Sequence, residues 1–170
     1  MTKTKKVTAA GAALMMAALC AAPPASAGTF QDLLRHVANE ASVQQNGRGN
    51  GAATSQNGAA NGSAIAQNGD SHTATVRQNG DANSAAVRQF GAGNNGAITQ
   101  NGSGNDACLL QVGRNVNGEI VQTGDNHSLA VVQTNRGAEP IRMQTCQTYD
   151  RHHAAGLVRD MVYSRFLGHP

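Results

Sequence analysis

The chain has 170 residues, of which only 3% are aromatic and none is tryptophan, so a conventional aromatic-rich core has little to pack with. All three lysines (Lys3, Lys5 and Lys6) lie in an N-terminal segment with the composition of a removable signal, and beyond it ten arginines meet ten acids. The formal charge of the remainder is zero and gives no case for a nucleic-acid partner.

In that first segment, residues 1–27, the basic lysines precede an apolar run from Val7 to Ala22, and Ala25-Ser26-Ala27 supplies small residues for cleavage before Gly28. Residues 28–44 form a leader in which Phe30, Leu33, Leu34, Val37, Ala38 and Ala41 recur at spacings of three and four, consistent with a short helix or a flexible flank.

From 45 to 144 one register governs the chain. Gln45, Gln56, Gln67, Gln78, Gln89, Gln100, Gln111, Gln122, Gln133 and Gln144 stand eleven residues apart without insertion or deletion. Two residues after the first eight come Gly47, Gly58, Gly69, Gly80, Gly91, Gly102, Gly113 and Gly124. Five residues after a glutamine comes Asn50, Asn61, Asn83, Asn94 or Asn105, with His72, Val116 and His127 in the remaining slots.

Counting each glutamine as zero, position nine holds Thr54, Ile65, Val76, Val87, Ile98, Leu109, Ile120 and Val131, while position seven is mostly alanine, serine or glycine. Seven, nine and the next glutamine share parity, so they point to one face of a strand, with Arg77 and Arg88 on the opposite, solvent face. A glycine in every unit costs a helix about 1 kcal/mol each relative to alanine, and the repeated Asn-Gly pairs mark turns. The expected fold is therefore all-β, an amyloid-like β-solenoid of about five stacked coils, each of two eleven-residue units and about 4.8 Å high. An inward amide is tolerated there because it can donate to an identical amide in one neighbouring coil and accept from the other, whereas an unpaired buried amide costs about 1 to 3 kcal/mol.

Residues 145–170 leave the repeat. Leu157, Val158, Met161, Val162, Phe166 and Leu167 have helical spacing, consistent with a small helix that covers the last coil or docks the protein elsewhere. Cys108 and Cys146 are the two cysteines beyond the first segment; a disulfide, free thiols and an intermolecular bridge all remain open, since pairing requires Cα atoms within about 7 Å. No catalytic, cofactor or metal site is expected: His72, His127, Ser84 and Asp81 fill slots the repeat explains. Asp70, Asp81 and Asp125 are turn residues, and His152-His153 lacks further spaced ligands.

Units such as Gln78-Asn79-Gly80-Asp81-Ala82-Asn83-Ser84-Ala85-Ala86-Val87-Arg88-Gln89 resemble the curlin repeat, Gln-x-Gly-x-x-Asn-x-Ala-x-x-x-Gln, over residues 45 to about 134. The resemblance implies a secreted subunit of curli, the functional amyloid fibres of bacterial biofilms, acting in adhesion as the main subunit or the nucleator. It further implies self as the polymer partner, a second curlin-like subunit, and an outer-membrane export apparatus reached through the periplasm, with no nucleic acid and no small-molecule substrate. A soluble secreted solenoid that binds a surface such as a glycan or ice is the other class. Pro140, at position seven of the ninth unit, and the loss of glycine after Gln133 set the last coil apart.

Overall fold

The computed structural model describes residues 5–11 and 38–148. Eleven strands follow one another: β1 (Lys5–Gly11), β2 (Asn39–Asn46), β3 (Gly51–Asn57), β4 (Gly62–Asp70), β5 (Thr73–Asn79), β6 (Ser84–Ala92), β7 (Asn95–Asn101), β8 (Asp106–Arg114), β9 (Asn117–Thr123), β10 (Ser128–Thr134) and β11 (Gly137–Pro140); then comes α1 (Met143–Thr148). Alternate strands fall into two sheets. Sheet A has the order β1-β2-β4-β6-β8-β10-β11, and sheet B the order β3-β5-β7-β9. The chain thus runs out along one sheet and back along the other, the path of a β-solenoid.

The eleven-residue unit sets this topology. Seven to nine strand residues and a turn of two to four bring each strand back beside the one two units earlier, so parallel partners are 22 residues apart. Val43 pairs with Ile65, Ile65 with Val87, Val87 with Leu109 and Leu109 with Val131 in sheet A; Thr54, Val76, Ile98 and Ile120 align in sheet B. These columns face each other and form the core, in which Val76, Val87, Ile98 and Leu109 are fully buried. Position seven is small because the sheets approach closely there: a Cβ on Gly96 would come within 3.2 Å of Leu109 Cδ2, so the bulkier leucine is accommodated by the missing side chain opposite.

The two outer faces differ. That of sheet B is polar, with Thr73, Thr75, Arg77, Asn95 and Asn117 turned outward. That of sheet A becomes apolar towards its C-terminal end, where Cys108, Leu110, Ala130, Val132 and Cys146 form a second buried cluster with Phe90, Val112, Ile141 and Met143 packed against it.

Several expectations need correction. There are four complete coils (β2/β3, β4/β5, β6/β7 and β8/β9) and then β10 alone, not five. The ninth unit fails because its position nine, which must enter the core, is Arg142, and its position seven is Pro140, which has no N–H for a ladder. The chain instead folds back as β11, antiparallel to β10, and Gln144 lies in α1, outside any glutamine column. At the other end the solenoid begins before Gln45. Asn39, Glu40 and Ala41 belong to β2 and not to a helix, because Asn39, Ala41 and Val43 already occupy positions five, seven and nine of a preceding unit. Lys5–Gly11 pairs antiparallel with β2 along its whole length. Residues 28–37 of the leader and 149–170 of the tail, with the apolar spacing noted in each, lie outside the described residues.

Candidate functional site: the amide ladders

Two glutamine columns run along the solenoid. In sheet A, Nε2 of Gln45, Gln67, Gln89 and Gln111 donates to Oε1 of Gln67, Gln89, Gln111 and Gln133 at 2.7, 2.9, 2.8 and 2.9 Å. In sheet B, Gln56, Gln78 and Gln100 donate in the same way to Gln78, Gln100 and Gln122 at 2.9, 2.9 and 2.8 Å. Each amide has a second hydrogen, and it is used across the sandwich. Gln67 donates to Gly51 O at 2.8 Å, Gln78 to Gly62 O at 2.9 Å and Gln89 to Thr73 O at 2.8 Å. The glutamines therefore bind coil to coil and sheet to sheet at once. Gln89, Gln100 and Gln111 are fully buried, which is affordable only because both hydrogens and the carbonyl have partners.

The asparagine columns stitch the turns. Asn61 N–H donates to Asn39 Oδ1 at 2.9 Å, Asn83 N–H to Asn61 Oδ1 at 3.0 Å, Asn105 N–H to Asn83 Oδ1 at 3.0 Å and His127 N–H to Asn105 Oδ1 at 3.0 Å. Their Nδ2 groups donate to the turn glycine carbonyls of the next coil, Asn61 to Gly80 O at 2.7 Å and Asn83 to Gly102 O at 2.7 Å. In the second column Asn50 Oδ1 accepts from His72 N–H at 2.9 Å, His72 Nδ1 from Asn94 N–H at 3.2 Å, and Asn94 Oδ1 from Val116 N–H at 3.0 Å.

His72 thus does an asparagine oxygen's work with a ring nitrogen. Acceptance at Nδ1 places its proton on Nε2, which lies 3.4 Å from Asn68 O, so the ring in the column is the neutral tautomer. Burial lowers its pKa from the ordinary 6.5, opposed by the Asn68 and Gly91 carbonyls and the Asp70 carboxylate. Below pH 6.5 the unfolded chain takes up a proton that the folded chain resists, so the folded state holds its full stability above 6.5 and loses it as the pH falls through that value. A lower urea midpoint at pH 5.5 than at 7.5 is expected, and His72→Asn should reduce the difference. An equal drop in both chains would show that other groups carry it.

Six of the eight unit glycines, Gly47 to Gly102, sit where one coil passes directly over the glycine of the next. Gly69 has φ +132° and Gly91 +118°, and a Cβ on Gly69 would run into the Gly91 carbonyl. Position four of the turn also has positive φ, filled by Gly49, Gly93 and Gly104, but equally by Ala60, Ser71, Ala82, Asn115 and Asn126. Alanine carries no signal for this conformation, so the sequence did not show it. The turn aspartates have a part the sequence did not reveal: Asp70 Oδ1 accepts from Arg48 N–H at 2.8 Å, Asp81 Oδ1 from Ala59 N–H at 2.8 Å and Asp125 Oδ1 from Ser103 N–H at 2.6 Å.

On the outer face Arg77 is exposed, whereas Arg88 is half-buried and burial lowers its pKa, so the solvent position expected for Arg88 is corrected. Asp106 nearby is held above the ordinary carboxylate range by burial, opposed by a hydrogen bond with Ser84. Cys108 and Cys146 form a disulfide with Cα atoms 6.1 Å apart, tying α1 to the first half of β8. Among the described residues no three histidine, cysteine or acidic side chains group as metal ligands.

The curlin associated repeat family matches residues 47–80 and 80–113, two consecutive stretches that span the centre of both ladders. Comparison with curated proteins and with solved structures gave no match. Across residues 47–113 the chain therefore carries curlin associated repeats, and there each glutamine of the array stacks over the one 22 residues on.

Proposed function

We propose that the chain is a secreted structural subunit that self-assembles into extracellular curli-like amyloid fibres for adhesion and biofilm matrix, as main subunit or nucleator. The observation that carries this reading is that the parallel ladders stop while their chemistry is unfinished. The outer edges of β3 and β9 in sheet B carry no further strand among the described residues, and each ladder ends on an amide with capacity left. Such edges recruit strands. A seven-residue strand added to one of them gains several main-chain hydrogen bonds at about 1 kcal/mol net apiece, together with another rung of the glutamine ladder. The match to curlin associated repeats supports a structural role rather than an enzymatic one, self as the partner, and an extracellular location. A second curlin-like subunit and an outer-membrane export apparatus are the companions such a role requires, and residues 1–27 supply the export signal.

The surface-binding alternative calls for a flat column of like side chains. Outward Thr73, Thr75, Thr99 and Thr123 occupy four different columns of sheet B, so no threonine ladder forms. Purified chain from Gly28 onward is expected to assemble after a lag into fibres with cross-β spacing of about 4.7 to 4.8 Å. Persistent monomer at tens of micromolar over days, or amorphous precipitate alone, would count against the fibre reading.

A further inference from the structure

The two ends of the solenoid do not match. At the N-terminal end β2 stands opposite β3, and the β1 segment that pairs outside β2 belongs to the residues absent from the chain that starts at Gly28; at the C-terminal end sheet A runs on through β10 and the short β11, and β10 overhangs β9. The overhang leaves Leu129 39% exposed and Val131 half-buried, on an inner face where Val87 and Leu109 are at 0%. Beside the unpaired edge of β9, Val121 is 58% exposed.

The ladders also give the ends opposite polarity. Every glutamine donates from Nε2 towards the C-terminal coil, so the step presents Gln122 and Gln133 as donors, while the N-terminal end presents Oε1 of Gln45 and Gln56 as acceptors. Two like ends would set donor against donor or acceptor against acceptor; head to tail, they pair.

A strand that fills the step must pair with β9 over seven residues and turn a small residue, a β-branched residue and a glutamine inward beneath Leu129, Val131 and Gln133. β3 meets these requirements with Ala52, Thr54 and Gln56, and it is the first strand of sheet B, with its outer edge unpaired. Laid on β9 in the register of the array, it sets Gly51, Ala53, Ser55 and Asn57 beside Asn117, Glu119, Val121 and Thr123, so no like charges become neighbours. Each level of the solenoid holds one strand per sheet, so β10 then stands where β2 stands in the second copy.

Building on the fibre reading above, we propose that the step is a seat for a second copy of this chain, entered by strand exchange: that copy's β3 pairs with β9, its β2 lifts away, and β10 takes over the pairing with its β4. β10 repeats the pattern of β2, so Val131 comes to lie beside Ile65 and Gln133 beside Gln67 of the second copy, as Val43 and Gln45 do within one chain. The exchange in sheet A returns strand for strand what it removes, and no residue of β2 is buried, so little packing is given up. The new pairing of β3 with β9 is the net gain. β11 must also leave, and it holds only Val131–Thr134 and ends at Pro140, which donates no backbone hydrogen bond.

Fibres grown from a mixture of two chains, one isotope-labelled at valine and the other at isoleucine, identify the joint by solid-state NMR. The expected result is a contact between Val131 of one copy and Ile65 of the next, and Val43→Asn, which loosens β2, is expected to shorten the lag several-fold. Val131 beside Val43 of the neighbour, Val131 without any contact to a neighbour, or a longer lag for Val43→Asn would each overturn the exchange while leaving the fibre reading intact. If neither chain forms fibres, the fibre reading itself falls and takes the exchange with it.

Discussion

Gly91→Ala is expected to destabilise the folded chain by about 3 kcal/mol or more. At φ +118° the added Cβ meets a disfavoured backbone conformation and the Gly113 carbonyl together. Neither backbone can yield, because Gly91 and Gly113 are partners in the parallel pairing of β6 with β8. Gly62→Ala is the control: Gly62 lies on the outer face of β4, where a Cβ meets nothing within 4 Å, and a change within about 0.5 kcal/mol is expected. Urea denaturation of freshly prepared chains measures both. Similar midpoints for the two variants would show that the turns are free to move apart.

Gln89→Leu should cost about 2 to 5 kcal/mol, since each buried polar group left without a partner costs about 1 to 3 kcal/mol. The substitution strands Gln111 Oε1 and the Thr73 carbonyl, to which Gln89 Nε2 donates at 2.8 Å in each case, and takes the acceptor from Gln67 Nε2. The apolar gain of leucine does not offset three such losses in a site that is fully buried. Arg77→Gln, on an exposed outward position, should change stability by about 0.5 kcal/mol or less. Arg88 is unsuitable for this comparison because it is half-buried. Equal effects at Gln89 and Arg77 would overturn the inward and outward assignment of the strands.

How much of this the sequence discloses depends on whether side-chain identity or position carries the information. The glutamine columns are legible because a fixed spacing of eleven with period-two alternation leaves one face for each residue, and insertions would have scrambled it. The two ends are less legible for opposite reasons. Gln144 keeps the spacing but not the chemistry: Arg142 would have entered the core, so a count of glutamines overstates the solenoid by a strand. Asn39, Ala41 and Val43 keep the chemistry but lack a glutamine before them, and the apolar spacing from Phe30 to Ala41 competes with it. The acceptor role of His72 Nδ1 follows from the ring's place between Asn50 and Asn94, which a sequence places in one column without showing which atom faces the next coil. The bond between Cys108 and Cys146 depends on the chain turning back after β10, and that reversal is the feature least marked in the repeat.

The constant separation of the ladder partners has a kinetic consequence. Each rung of the glutamine columns joins residues 22 apart, as does each step of the asparagine columns, so every coil closes a loop of the same length. The entropy of closing a loop of that size is about 3 kcal/mol, and it does not grow with the number of coils already formed. Folding is then a zipper: the first closure is made without a template and is the slow event, and every later coil meets a finished edge that offers its amides in place. A chain emerging end first from a narrow passage can therefore lay down each turn as it appears, without waiting for its last residue.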